Sequence, residues 1–246
     1  MRKNLVIDIG NTRMKIAVFE NGRLVSLRFN SSETSGKILT KILKHNLPTI
    51  ISSVHKKLPK SKQRGNRTHV LKFTSLTPVP LKNRYRSKFT LGSDRLAAAV
   101  GGANKFPGKN VLVIDAGTCI KFNFVNAKGE YLGGSISPGI QMRFMALHNF
   151  TARLPLIRSS KQDPSLCGNT TELSIRSGVI NGMVAEVEGM ISAYEKKYKN
   201  LKVVITGGDG PLFDKRLKKR IFADPNLVLK GLYDILQHNY GIKSGN

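Results

Sequence analysis

LVIDIGNT at residues 5–12 and VLVIDAGT at residues 111–118 are two apolar, β-branched runs, each ending in Asp-x-Gly and then Asn or Thr. A short apolar run of this kind bounded by a turn signal reads as a buried strand. After Asp8 a second run covers Met14 to Phe19, the pair Asn21-Gly22 follows, and a third run covers Leu24 to Phe29. Asn-Gly between two such runs is the strongest short-range hairpin signal. After Asp115 the plan repeats, with Ile120 to Val125, a turn over Asn126 to Gly129, and Tyr131 to Ile136. Matching order, turns and Asp positions argue that one unit, opening with three hairpin-connected strands, occurs twice.

Helical spacing fills most of what remains. Asp94 to Phe106 follows Ser93, Gly139 to Asn149 follows Pro138, and a long run extends from Thr171 to Tyr198. That run carries Ile175, Val179, Met183, Val187, Met190, Ile191 and Tyr194 at steps of three and four, so it has one apolar face, for a core or for a dimer seam. A strand at Leu201 to Ile205, a helix at Pro211 to Phe222 and a last helix near Leu229 to Tyr240 complete the reading. Strands alternating with helices predict an α/β fold of two related domains, each a mixed sheet flanked by helices, over residues 1–109 and 110–246.

The strand ends carry the chemistry. Asp8 offers a carboxylate that can hold Mg²⁺, directly or through water. Gly10 lets backbone approach phosphate oxygens, Asn11, Thr12 and main-chain N–H groups can donate to them, and Lys15 adds positive charge where a phosphoryl group develops negative charge. Asp115-Ala-Gly-Thr118 stands at the equivalent place in the second half. A third cluster, Thr206-Gly207-Gly208-Asp209-Gly210, suits either adenosine lying on bare backbone or a simple positive-φ turn. Between the halves, Gly92-Ser93-Asp94-Arg95 sets an acid and a base at the first turn of a helix. Asp94 is there a cap, or the carboxylate that takes a hydroxyl proton while Arg95 grips a substrate carboxylate. No G-x-G-x-x-G follows a strand, and the Walker-like stretch Gly102 to Asn110 has the wrong glycine spacing.

Composition limits the function classes. The 246 residues are 40% hydrophobic, enough for a sizeable core, and no apolar run reaches the roughly 18 residues of a membrane span. The N-terminus passes straight into LVIDIG with no signal-peptide pattern, so the expected compartment is the cytoplasm. Cys119 and Cys167 are too few for a disulfide framework or a zinc cluster and read as free thiols. The net charge of +26 is unusual, and Thr34 to Ser93 contains no Asp or Glu while Lys56, Lys57, Lys60, Lys62, Arg64, Arg67, Arg84, Arg86 and Lys88 fall within it. A nucleic-acid-associated protein is therefore a rival to an enzyme, although no helix-turn-helix, zinc-finger or RNA-recognition signature accompanies the charge.

The paired Asp-Gly strand ends with a Gly-Gly cluster resemble the acetate and sugar kinase, Hsp70 and actin superfamily, which implies two actin-like, ribonuclease H-like domains. Within it, DIGNTRMK at 8–15, LGSDR at 91–95, DAGTCI at 115–120, YLGGSISPGI at 131–140, TELSIRSG at 171–178 and TGGD at 206–209 resemble the type III pantothenate kinase family along nearly the whole chain. The resemblance implies ATP-dependent phosphorylation of pantothenate, the first committed step of coenzyme A synthesis, with ATP and Mg²⁺. It implies that Asp8, Ile9, Gly10, Asn11, Thr12, Arg13, Met14 and Lys15 form the ATP phosphate loop, that Thr118 touches ATP, and that Asp94 is the general base. It further implies that Tyr85, Gly92, Ser93, Asp94 and Arg95 hold pantothenate together with Thr171 or its neighbour Thr170. Asp115 would bind a monovalent cation, K⁺ or NH₄⁺, and the protein would be a homodimer.

Overall fold

A computed structural model describes residues 3–11, 13–31, 39, 47–53, 70–158, 163–214 and 216–244. The chain forms two compact units, Met1–Lys105 with Leu227–Asn246, and Phe106–Asn226. The first unit runs to Lys105 and takes in the last helix, which the sequence reading puts with residues 110–246.

In the first unit β1 (Lys3–Ile9), β2 (Arg13–Glu20) and β3 (Arg23–Ser31) form the antiparallel meander anticipated from the sequence, and β4 (Thr49–Ser53) and β5 (Val70–Lys72) add parallel to β1, giving the order β3-β2-β1-β4-β5. Asn21 and Gly22 both have positive φ, 49° and 82°, the backbone twist a two-residue hairpin requires. Leu5, Ile7, Ile9, Met14, Ile16 and Ile51 pack one buried cluster. Helices α1 (Ser93–Lys105) and α5 (Leu227–Ser244) pack at backbone contact: a Cβ on Gly231 would lie 2.0 Å from the Ala97 carbonyl oxygen, and one on Gly101 2.5 Å from that of Leu227. Tyr233 of α5 stacks on Phe19 of β2, with ring centroids 4.6 Å apart.

The second unit repeats the plan. Strands β6 (Val111–Ala116), β7 (Cys119–Val125) and β8 (Glu130–Pro138) form the meander, and β9 (Lys202–Thr206) and β10 (Phe222–Ala223) add parallel beyond β6. Counted within each unit, both sheets read 3-2-1-4-5, which carries the duplication from two matching motifs to two matching topologies. Helices α2 (Ile140–Asn149) and α3 (Thr171–Lys197) cover the sheet. Ile175, Val179, Met183, Val187 and Ile191 of α3 are all buried in that unit's core, so the apolar stripe is a core face. The helix expected over Pro211 to Phe222 stops early, as α4 (Gly210–Asp214). Tertiary contacts override its helical spacing: the Lys218 N–H donates to the Glu188 carboxylate at 2.8 Å, and Phe222 and Ala223 pair with Val204 and Ile205. Among the described residues no helix is long and apolar enough to cross a membrane, and both cysteines are free.

Candidate active site

In the first unit, Asp8 sits near the end of β1 with Lys15 of β2 as its cross-strand Cα partner on one side and Ser52 of β4 on the other. The Gly10 N–H donates to the Arg13 carbonyl at 3.0 Å and closes the turn between β1 and β2. Of the eight residues expected in the phosphate loop, Ile9 and Met14 are buried core side chains and can meet a ligand only through backbone. Asn11 and Arg13 are exposed, Lys15 is half-buried, and Thr12 lies outside the described residues.

Ser52 also organises the second cluster, and sequence reasoning overlooked it. Its hydroxyl is 3.2 Å from that of Ser93, the first residue of α1, so the helix start is pinned beside the strand next to Asp8. The Gly92 carbonyl accepts from the N–H groups of Arg95 and Leu96. Asp94 Oδ1 accepts from the Arg95 N–H at 2.9 Å, which is capping behaviour, and its carboxylate stays at the helix N-terminus. Arg95 is buried, with its guanidinium carbon 5.6 Å from the centroid of the Tyr85 ring, a cation–π arrangement. Tyr85 is in turn oriented by its backbone N–H donating to Asn83 Oδ1 at 3.0 Å. The structure thus joins Tyr85, Gly92, Ser93, Asp94 and Arg95 in one unit. The exposed Lys82, Arg84, Arg86 and Lys88 flank Tyr85; Lys56, Lys57, Lys60, Lys62, Arg64 and Arg67 lie outside the described residues.

The second unit holds the other strand ends. Asp115 is the next-to-last residue of β6, and the Gly117 N–H donates to the Cys119 carbonyl at 3.1 Å to make the following turn. That turn is gripped by backbone from both neighbours. The Gly139 N–H donates to the exposed Thr118's carbonyl at 3.1 Å, and a Cβ on Gly139 would meet the Gly117 carbonyl oxygen at 2.1 Å. Gly207, at φ +95°, leaves no more room: a Cβ there would lie 2.1 Å from the Ala116 carbonyl oxygen, while the Asp209 N–H donates to that oxygen at 2.9 Å. Gly208 is exposed with open space where a side chain would be, which suits a flat ring lying on backbone. Burial pushes the Asp209 carboxyl above its usual range.

Lys121, on β7, is the other residue that sequence reasoning passed over. It is the cross-strand partner of Asp115, and its Nζ is 2.8 Å from Asp115 Oδ2. Thr170 and Thr171 also separate: the Thr170 hydroxyl caps α3 by accepting from the Leu173 N–H at 3.2 Å, whereas Thr171 begins the helix exposed. Both line an open cleft of about 750 Å³ with Leu147, Leu154, Ser174 and Ile175.

Comparison with known proteins gives the family. A family model described as type III pantothenate kinase matches residues 4–193. A type III pantothenate kinase of Bacteroides fragilis is 44% identical over 249 residues, covering 97% of this chain and 99% of that protein. One of Christiangramia forsetii is 41% identical over 246 residues, covering 96% and 98%. Among solved structures, the inorganic polyphosphate/ATP-glucomannokinase of Arthrobacter sp. strain KM superposes with a TM-score of 0.51 at 13% identity, over 97% of this chain and all of that one, and so shares the fold.

Proposed function

We start from the fact that this chain belongs to the type III pantothenate kinase family, and we propose how its own residues divide the reaction between them. The protein transfers the γ-phosphoryl group of ATP to the primary hydroxyl of pantothenate, giving 4′-phosphopantothenate in coenzyme A synthesis. The alternative of a nucleic-acid-associated protein finds no support in the family match.

The division of roles rests on one observation: the hydroxyl pair Ser52–Ser93 ties the start of α1 to the strand beside Asp8. This supports an acceptor grip and a phosphate loop working side by side in the first unit. Phosphoryl transfer passes through a loose transition state, so alignment and charge neutralisation matter more than a strong base. In the first unit residues 8–15 are the groups offered to the phosphates, through the turn at Gly10 and the charge of Lys15; in the second unit Thr118 and the bare backbone of Gly208 are the groups offered to nucleotide. Arg95, stiffened against Tyr85, grips the pantothenate carboxylate with Gly92 and Ser93 beside it. Asp94 orients the acceptor hydroxyl and takes its proton late. Thr171 is the α3 threonine offered to pantothenate, because the Thr170 hydroxyl is already engaged as the cap.

Mg²⁺ fits the residues present. It is commonly held by one or two carboxylates plus substrate phosphates, and Asp8 supplies such an oxygen while the described residues hold no group of three or more potential ligands. When bound, it would neutralise phosphate charge. The K⁺ or NH₄⁺ expected at Asp115 does not fit, because the Lys121 ammonium already lies on that carboxylate. The homodimer expectation is supported by apolar side chains that the second unit leaves exposed, among them Met145, Phe150 and Leu166.

The test is ADP release on addition of pantothenate to protein, ATP and Mg²⁺. Asp94→Asn should lower turnover by about 10²-fold at unchanged melting temperature, as loss of a positioned general base does. Near wild-type turnover would reduce Asp94 to the helix cap its bond to Arg95 describes.

A further inference from the structure

The second strand-end carboxylate is already neutralised by the chain itself. Asp115 and Lys121 face each other across the β6–β7 hairpin, on the same side of the sheet, with Nζ 2.8 Å from Oδ2. Neither side chain is much open to water: Lys121 is 19% exposed and Asp115 14%. The hairpin that sets the pair is held firmly, by the turn bond from Gly117 to Cys119 and by the backbone contacts of Gly139 and Gly207 on that turn. Thr206 of β9 flanks Asp115 on the other side, and Ile136 of β8 stands opposite Lys121.

A monovalent cation at a carboxylate beside a nucleotide site supplies one positive charge at fixed range. A lysine ammonium is NH₄⁺ with one hydrogen replaced by carbon, and ammonium and potassium are near-equal in size. Tethered by its own strand, it acts at an effective concentration that no dissolved ion has to match. A free K⁺ at the same oxygen would have to expel Nζ or share the carboxylate with a like charge, which is unfavourable in a half-dry site. In the first hairpin Lys15 holds the same register position opposite Asp8, but there the lysine charge is the one offered to the phosphates.

We propose that Lys121 is a built-in replacement for the monovalent cation at Asp115, so that this enzyme works without K⁺ or NH₄⁺. Lys121 is then a positioning residue: it fixes the charge and orientation of Asp115. The inference rests on the kinase reading, and its test includes a measurement that does not depend on pantothenate.

Wild-type protein, freed of K⁺ and NH₄⁺, is assayed in choline, sodium, potassium and ammonium chloride at equal ionic strength. Binding of a non-hydrolysable ATP analogue and the melting temperature are measured in the same salts. The wild type should show the same kcat/KM for pantothenate, analogue affinity and melting temperature in all four. Lys121→Thr should lose between about 10- and 100-fold in choline, the usual range for removing a partner that orients a ligand-binding group. Potassium and ammonium should restore most of that loss, and should raise this variant's analogue affinity and melting temperature while leaving the wild type's unmoved.

Activation of the wild type by potassium of tenfold or more over choline would overturn the proposal. So would a Lys121→Thr protein indifferent to the salt, whether fully active or inactive in all four. If Lys121→Thr does not fold, Lys121→Gln takes its place, and the wild-type arm decides by itself. Should the wild type phosphorylate no pantothenate in any salt, the kinase reading fails, while analogue binding in choline against potassium still decides the cation question.

Discussion

Gly207 and Gly208 are adjacent, and the same substitution at each should have opposite consequences. At Gly207→Ala two penalties combine. The residue sits at φ +95°, where an L side chain is strained by roughly 1–3 kcal/mol. Its new Cβ would also lie 2.1 Å from the Ala116 carbonyl oxygen and 2.7 Å from two further Ala116 backbone atoms, which cannot rotate away as a side-chain tip would. Overpacking of this kind adds about 1–3 kcal/mol, so the expected loss is about 2–6 kcal/mol. The strain falls on the strand end that carries Asp115, so nucleotide affinity should suffer with stability. Gly208→Ala meets nothing within 4 Å and should leave stability within about 0.5 kcal/mol. If an adenine ring rests on its backbone, however, the KM for ATP should rise. Urea unfolding and ATP saturation curves on both variants are the assay. A Gly207→Ala protein with an unmoved midpoint would refute the packing argument, and a Gly208→Ala protein with unchanged KM for ATP would remove adenosine from this loop.

The two threonines at the start of α3 should separate in the same way. Thr170→Ala removes a cap worth about 1 kcal/mol and should lower the melting temperature without changing the KM for pantothenate, whereas Thr171→Ala should raise that KM at little cost in stability. Equal effects on both quantities in both variants would show that the helix start is read as a whole. Asp234, in α5, supplies a pH test. Burial pushes its carboxyl up, against the opposing effect of a hydrogen bond with Asn104. A carboxyl raised in the folded state favours the protonated form, so its contribution is present at low pH and lost as pH rises through the folded value. Asp234→Asn should therefore melt above wild type at pH 7, and the difference should close as pH falls towards the ordinary carboxylate range near 4. A difference independent of pH would assign the effect to packing.

What could be read from sequence was local, and what could not was long-range. Asn21-Gly22 announces its hairpin because few other residues accept two successive positive φ values. Strand β4, by contrast, pairs parallel to β1 across a long connection, and parallel pairing leaves no mark near either strand. The segment after α4 misleads because Leu217 and Ile221 continue the helical spacing of Phe213 in α4, yet that spacing serves to pack a loop onto the core and to bring Phe222 into a sheet. The return of α5 to the first unit is written in Gly101 and Gly231, two glycines inside helices whose reason appears only when the other helix's backbone is found against them.

Lys121 is the instructive case, because its signal was present in the repeat that decided the fold. DIGNTRMK and DAGTCIK both run Thr-x-x-Lys after the glycine, and they differ in length by one residue, Asn11. Comparing the motifs only as far as the threonine finds the phosphate turns and stops short of the second strand. Carrying the comparison across the turn uses antiparallel register: the residue that leaves the turn as far along as Asp enters it becomes Asp's neighbour on the same face. That rule yields Asp8 opposite Lys15 and Asp115 opposite Lys121, as the two hairpins have them. Each half of the duplicated fold therefore brings a carboxylate and a lysine to the same strand end, and in the second half the two form an ion pair. The family resemblance, which treats Asp115 as a bare carboxylate, assigns it a dissolved cation, whereas the register assigns it a covalently tethered one.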